Sequence, residues 1–197
     1  MDGKKVGDLI CSLRKEKDMT QREIAEALHV SDKTISKWER GIGIPDVSLL
    51  RELSNILGVN IEKILEGELV ANQRDNGNIT SIKFYVCPHC ENVLTSTGKG
   101  EISCCGRKVS QLPLQPMDKD HEIKVVDADN DFYVTMGHEM SKAHYISFFA
   151  FVSYDRITMV KLYPEQSAEV RFQKIYRGKV FAYCNQHGLQ VVDIKRE

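Results

Sequence analysis

Between Val6 and Leu57 the apolar residues recur every three or four positions: Val6, Leu9, Ile10 and Leu13, then Ile24, Ala25 and Leu28, then Val47, Leu50, Leu53, Ile56 and Leu57. That is the period of helices that bury one face, so the spacing predicts a helical first third from Lys4 to about Gly67. The ends of these helices are marked. Thr20 with Glu23 forms a capping-box pair, Ser31 stands before a second helical run, Asn60 is placed to cap a last short helix, and Gly41 and Gly58 are plausible stops. After the polar, turn-rich stretch ELVANQRDNGN the period changes to alternation, in DFYVTMG, YISFFAFVSY, RITMVKLYP, EVRFQKIY, KVFAYC and QVVDIK. Ile146, Phe148, Ala150 and Val152 are expected to share one face of a half-buried strand, and Val180, Ala182 and Cys184 one face of another. Several short strands divided by turn residues predict a β-sandwich.

The pattern describes a multidomain α + β chain: an all-α bundle over residues 1–68, a linker over 69–79, a compact cysteine segment over 80–113, and a sandwich over 114–197. At 42% hydrophobic and 28% charged residues, the chain of 197 residues has an ordinary globular composition. A formal net charge of -1 means that any nucleic-acid surface must be a local patch. No apolar run has the length of a membrane span, and MDGKKVGDLI lacks the apolar core of a signal peptide, so no membrane partner is expected. A cytoplasmic setting keeps thiols reduced, which favours metal or redox chemistry over disulfides for the six cysteines.

Four of those cysteines fall in YVCPHCENVLTSTGKGEISCC. Cys87, Cys90, Cys104 and Cys105 offer four thiolates, a set that selects iron or zinc. Adjacent residues of a regular strand point to opposite faces, so Cys104 and Cys105 require a sharp corner, which Gly106 helps to make. The segment resembles desulforedoxin, a small rubredoxin-like iron module that carries this vicinal pair, with a gap of thirteen residues between the two pairs that is slightly short for the family. The resemblance implies one iron on the four cysteines; zinc remains an equal fit to the thiolates. His89 is expected to be exposed and not a ligand, and Cys11 to be a small core residue of the first helix.

The segment TQREIAEALHVSDKTISKWERGIGIPDVSLLRELSNILGVNIEKIL resembles the Cro/C1-type helix-turn-helix family over roughly Val6 to Glu66. On that pattern Gln21 to Leu28 is the second helix, HVS the turn, and Ser31 to Arg40 the recognition helix. Ala25 sits where helices cross closely, and Val30, Ile35 and Trp38 face inward. The resemblance implies double-stranded DNA as partner. Ser31, Asp32, Lys33, Ser36 and Lys37 lie on the groove-facing side, while Gln21 and Arg40 lie against phosphates. Acidic residues slightly outnumber basic ones in this third, which keeps a protein-interaction module open as the other reading.

His138 and His144 in GHEMSKAHYISF, with Cys184 and His187 in YCNQHGL, resemble the two ligand motifs of superoxide reductases, the desulfoferrodoxin and neelaredoxin family. The fold implied is a small immunoglobulin-like sandwich. The site implied is one iron with His121, His138, His144 and His187 as equatorial ligands and Cys184 as the axial one. Enzymatic members carry Glu-Lys directly before the first histidine and a proline after the second. Here Lys119-Asp120 and Glu139 stand instead, with Lys119 or Lys142 as substitutes for the missing cation and Lys119 the candidate catalytic residue.

Two functions follow from the combination. One is a transcription regulator in which two iron centres sense superoxide or redox state, working as a homodimer because desulforedoxin-like modules tend to dimerise. The other is a superoxide reductase, fed by an electron donor such as rubredoxin, with an appended DNA-binding domain. Lys119-Asp120 favours the regulator. A blander third reading is a repressor with zinc in both sites and no redox role.

Overall fold

A computed structural model describes residues 2–74, 79–175 and 177–194, the side chain of Asp120 excepted. The chain forms two compact units that meet in sequence between Ala71 and Asn72.

Among its described residues the first unit holds five helices: α1 (Gly3–Glu16), α2 (Gln21–Ala27), α3 (Asp32–Glu39), α4 (Val47–Leu57) and α5 (Ile61–Glu66). Their starts are set by side chains that satisfy free N–H groups. Asp2 accepts from Lys4 and Lys5, Ser31 from Thr34 and Asp46 from Ser48, and Thr20 with Glu23 closes both halves of a capping box. Asn60 stands at the cap of α5 but its side chain makes no capping bond; its carbonyl alone accepts from Lys63 and Ile64. Gly58 and Gly67 end α4 and α5 in the left-handed conformation that glycine adopts without strain.

Val6, Ile10, Ile24, Ile35, Leu53 and Ile64 are fully buried at the centre, with Trp38 and Ala25 beside them, while Val30 is half-buried at the rim. Cys11 is not in this core. It lies one position off the Val6, Ile10, Leu13 stripe, half-buried, with Sγ 3.8 Å from Nη2 of Arg14.

Two features fix α3 on its neighbours. A Cβ added at Gly7 would lie 2.1 Å from the carbonyl oxygen of Trp38, so α1 and α3 cross in backbone contact. Glu39, 8% exposed, takes Nε and Nη2 of Arg14 at 2.6 and 3.1 Å and Nε2 of Gln21 at 2.7 Å, which ties α1 and α2 to the end of α3. Burial pushes the Glu39 carboxyl up, but the bonds from Arg14 and Gln21 outweigh it and hold the group below its usual range.

Among its described residues the second unit has eleven strands. β1 (Lys83–Val86) pairs with β2 (Val93–Ser96), and β3 (Ile102–Cys104) with β4 (Arg107–Val109). The seven others are β5 (Ile123–Ala128), β6 (Asp131–Met136), β7 (Ile146–Val152), β8 (Ile157–Lys161), β9 (Glu169–Gln173), β10 (Gly178–Cys184) and β11 (Gly188–Ile194). They form two antiparallel sheets, in the orders β11-β10-β7-β8 and β5-β6-β9. Between the sheets lie Phe132, Val134, Phe149, Phe151, Phe172, Val180, Ala182 and Cys184, the packed interior of a sandwich.

β7 departs from the half-buried pattern: all seven of its residues are buried. Phe148, Ala150 and Val152 turn away from the sandwich interior, yet Phe84 of β1 packs over them with Phe181 and Leu189. The cysteine segment therefore supplies a cover for the outer face. Ile146 joins the interior cluster rather than the Phe148 side, because the pairing with β10 shifts register between Tyr183 and Cys184 and moves Ile146 across.

Replacing Gly7 with alanine should lower the stability of the first unit by about 1–3 kcal/mol, although alanine is the better helix former. Urea unfolding followed by Trp38 fluorescence measures this, and unchanged stability would refute the close crossing. The depressed Glu39 carboxyl contributes stability that is present above the ordinary carboxylate range and lost as pH falls through its folded value. Glu39→Gln should therefore flatten the acid limb of the same unfolding curve.

Candidate metal centres and nucleic-acid interface

The hairpin β10–β11 carries two of the sandwich ligand candidates on its turn. Cys184 pairs with Gly188, whose φ of +84° closes a loop of Asn185, Gln186 and His187. The N–H groups of Gln186 and His187 both donate to Cys184 Sγ at 3.4 Å. Burial pushes the Cys184 thiol up, and these two N–H groups oppose it. Across the sheet, the loop from His138 to His144 leads into β7 and is clamped to this turn: Asn185 Nδ2 and Gln186 Nε2 donate to the carbonyl of Ala143 at 3.0 and 2.9 Å. His121 ends the short 3-10 turn Lys119–His121 that precedes β5.

These elements bring His121, His138, His144, His187 and Cys184 together, with one donor atom from each within 4.8 Å of all the others. Around the circuit of imidazoles, neighbouring ring centroids are 4.9, 4.4, 4.8 and 4.5 Å apart, and the His121–His144 diagonal is 6.3 Å. The four rings thus stand at the corners of a near-square. Neighbouring rings are inclined between 63° and 74°.

The outer nitrogens decide which way the lone pairs face. His121 Nδ1 meets Asp118 Oδ1 at 2.7 Å, His138 Nδ1 meets the carbonyl of Glu139, and His144 Nδ1 meets the Glu139 carboxylate at 3.3 Å. A proton held at Nδ1 leaves Nε2 as the donor to the centre. Nε2 of His121 and Nε2 of His138 are buried with no hydrogen-bond partner among the described residues. His187 presents Nδ1 instead, 3.0 Å from His144 Nε2 and 3.5 Å from Cys184 Sγ. Burial, with the neighbouring imidazoles, lowers the pKa of His138 and favours its neutral, metal-binding form. Buried orphan nitrogens beside a thiol are what a transition-metal cation would satisfy, and a set of four imidazoles and one thiol fits an iron.

The second group is Cys87, Cys90, Cys104 and Cys105, whose sulfurs also lie within 4.8 Å of one another. The expected corner exists: β3 and β4 are joined by Cys105 and Gly106 alone, with φ of +52° and +72°, as two-residue hairpin turns of this hand require. Main-chain N–H groups of Cys90 and His89 bring the Cys87 thiol down to about 6, while the surrounding thiols and burial push Cys105 up to about 12. The four sulfurs cannot all ionise cheaply without a cation among them, so this set also fits a metal. His89 is exposed and outside the group.

In α3, Asp32, Lys33 and Lys37 are exposed, as is Arg40 at its C-cap, while Ser36 is half-buried. Lys33 and Lys37 form no ion pair among the described residues. Ser31 Oγ serves as the cap, Asp32 Oδ1 accepts from the N–H of Lys33, and Arg40 Nε folds back to the carbonyl of Ser36. Gln21 commits its amide to Glu39.

A helix-turn-helix family model matches residues 12–64. The HTH-type transcriptional activator BcrR of Enterococcus faecalis is 38% identical over 77 residues, and the chain spans 38% of its length. Desulfoferrodoxin of Clostridium acetobutylicum is 30% identical over 109 residues, which cover 52% of this chain and 87% of that protein. The chain belongs to the desulfoferrodoxin family. Its second unit shares the fold of the superoxide reductase from Treponema pallidum, with a TM-score of 0.51 at 18% identity over 57% of this chain and 98% of that one. To this desulfoferrodoxin region the chain joins a helix-turn-helix domain of the kind found in transcription regulators.

Several residues of the sites were not read from sequence. Asp118 carried a local signal, three residues before His121, whereas Asn185 and Gln186 act through the fold. Lys119 is exposed on the turn before His121. The side chain of Asp120, on which the comparison with Glu-Lys rested, lies outside the described residues.

If Asp118 and Glu139 orient their histidines as argued, Asp118→Ala and Glu139→Ala should each weaken cobalt(II) binding at the histidine group by roughly tenfold. Titration of the reduced full chain by visible absorption would show it, and unchanged affinity would remove both carboxylates from the site.

Proposed function

We propose that this chain is a cytoplasmic DNA-binding transcription regulator whose desulfoferrodoxin region holds iron and reports superoxide or redox state. The observation that carries the reading is the square of four imidazoles with Cys184, encoded in one polypeptide with a helix-turn-helix domain. His121, His138, His144, His187 and Cys184 would hold one iron, and Cys87, Cys90, Cys104 and Cys105 a second metal, iron or zinc. Iron bound there supplies a one-electron step open to a small anionic oxidant. The chain's own residues set the conditions. Asp118 and Glu139 hold the outer protons of the imidazoles, Gln186 and His187 donate to the Cys184 sulfur, and exposed Lys119 offers a cation on the turn beside His121.

On the DNA side, Asp32, Lys33, Ser36 and Lys37 are assigned to base edges, with Ser31 fixing the helix start, and Arg40 to phosphate. Gln21 is assigned first to holding Glu39 and, through its position, to the phosphate side of α2. A homodimer would present two recognition helices to half-sites about one turn, ~34 Å, apart. The division into residues 1–68, 69–79, 80–113 and 114–197 describes the functional parts.

A second reading, superoxide reductase with an appended DNA-binding domain and a donor such as rubredoxin, is favoured by the family. Glu139 argues for the regulator, because its carboxylate lies against the outer nitrogen of His144 and adds negative charge beside the histidine group, which disfavours an anionic substrate.

Full-length protein made without air should contain iron, and its DNA affinity should fall steeply with salt and differ between the reduced and the superoxide-treated forms. Arg40→Ala should weaken DNA binding and reduce the salt slope while leaving the iron spectrum unchanged. Equal DNA affinity in both redox states, together with rapid superoxide consumption, would replace the regulator with the enzyme.

A further inference from the structure

The two metal groups lie in one unit, and the side chain of Tyr145 reaches from one to the other. Tyr145 directly follows His144, and its main chain is held on both sides by the residue after Cys184. Its N–H donates to Asn185 Oδ1 at 3.0 Å, and its carbonyl accepts the N–H of Asn185 at 3.1 Å. The ring is 7% exposed, and its hydroxyl donates to Glu91 Oε2 at 2.5 Å. Glu91 directly follows Cys90. Its N–H closes the turn on the carbonyl of Cys87 at 2.9 Å, and its own carbonyl accepts Lys161 Nζ at 3.5 Å.

The backbone of Glu91 makes the pair informative. Its φ is +55°, a region that suits glycine and costs a residue with a Cβ. Glycine would make the same turn without strain. What glutamate adds is a carboxylate, and that carboxylate reaches across the unit to Tyr145. A strained residue whose side chain ends on one buried hydroxyl points to a functional contact.

We propose that Tyr145 is a positioning residue that couples the two centres, so that filling the four-cysteine group strengthens metal binding at the histidine group. This rests on both groups holding metal. A cation among the four sulfurs fixes the turn from Cys87 to Asn92 and with it the Glu91 carboxylate. The carboxylate holds the Tyr145 hydroxyl, and the Tyr145 main chain sets the spacing of His144 and Cys184. With the sulfurs empty, Glu91 is released and the two ligands lose a common support. By linkage the effect is reciprocal: metal at the histidine group tightens the four-cysteine group by the same factor.

Cobalt(II) tests this in the reduced, metal-free full chain, because four-thiolate and histidine–thiolate sites absorb differently. Tyr145→Phe keeps the ring and removes the hydroxyl. It should weaken cobalt binding at the histidine group about tenfold, within the range of coupling energies and of lost outer-sphere contacts. Cys90→Ser, which disables the other group, should cost about as much, and the double variant no more than either alone. Glu91→Gly relieves the backbone. With the histidine group empty, it should leave the four-cysteine group binding at least as tightly as before, yet with both groups titrated it should give the same tenfold loss at the histidines, which poor folding could not produce. Multiplying losses in the double variant, or unchanged histidine-site affinity in Tyr145→Phe or Glu91→Gly, would overturn the coupling. Absence of a histidine-site cobalt spectrum in the unaltered chain would overturn the metal reading itself.

Discussion

The burial of β7 on both faces is the constraint from which the second unit takes its form. One face meets the three-stranded sheet through Phe149 and Phe151, and the other meets Phe84 from the cysteine segment. A strand of Ile, Phe, Ala and Val with a single Ser gains most where both surfaces leave water, since each large apolar side chain is worth roughly 1.5–3 kcal/mol on burial. Satisfying it docks β1 on the sheet, and Cys87 follows the end of β1 directly. The amino end of β7 is reached from His144 through Tyr145, and its partner β10 ends at Cys184. Apolar packing in the middle of the sheet therefore places metal ligands at its margins.

At those margins the chemistry is unfavourable until a cation is present. Four sulfurs within 4.8 Å of one another oppose one another's ionisation, and two buried imidazole nitrogens are left without partners among the described residues. A folded protein tolerates such groups where a ligand satisfies them. The outer hydrogen bonds from Asp118, Glu139 and the Cys184 turn leave the donors little freedom to turn elsewhere. The energy lost in holding these donors together becomes affinity for whatever fills the site.

The first unit solves a related problem with charge. Glu39 is nearly buried yet ionised, because Arg14 and Gln21 supply three donors to it. Breaking such a set would leave an uncompensated buried charge, which is costlier than losing an exposed pair. The arrangement fixes the inner side of α3 and leaves Lys33 and Lys37 on the outer side.

Sequence by itself determined what local chemistry can determine. The three- and four-residue spacing gave the helices, Thr20, Ser31 and Gly58 their ends, and alternation the strands of the sandwich. The vicinal Cys104 and Cys105 required a corner, and the histidines and Cys184 announced a ligand set through family motifs. The tertiary structure alone decided which face Ile146 takes, since a register shift with β10 reverses it. It alone buried both faces of β7, because alternation reports one covered side and cannot see a second cover contributed by Phe84 from sixty-odd residues earlier. Asn60 stands at a cap without capping, and Cys11 falls just off its helix's buried stripe. The contacts of Glu39 with Arg14, and of Tyr145 with Glu91, join residues 25 and 54 positions apart. No periodicity encodes such pairs: polar partners meet only after packing has brought their elements together, and burial then makes the meeting obligatory.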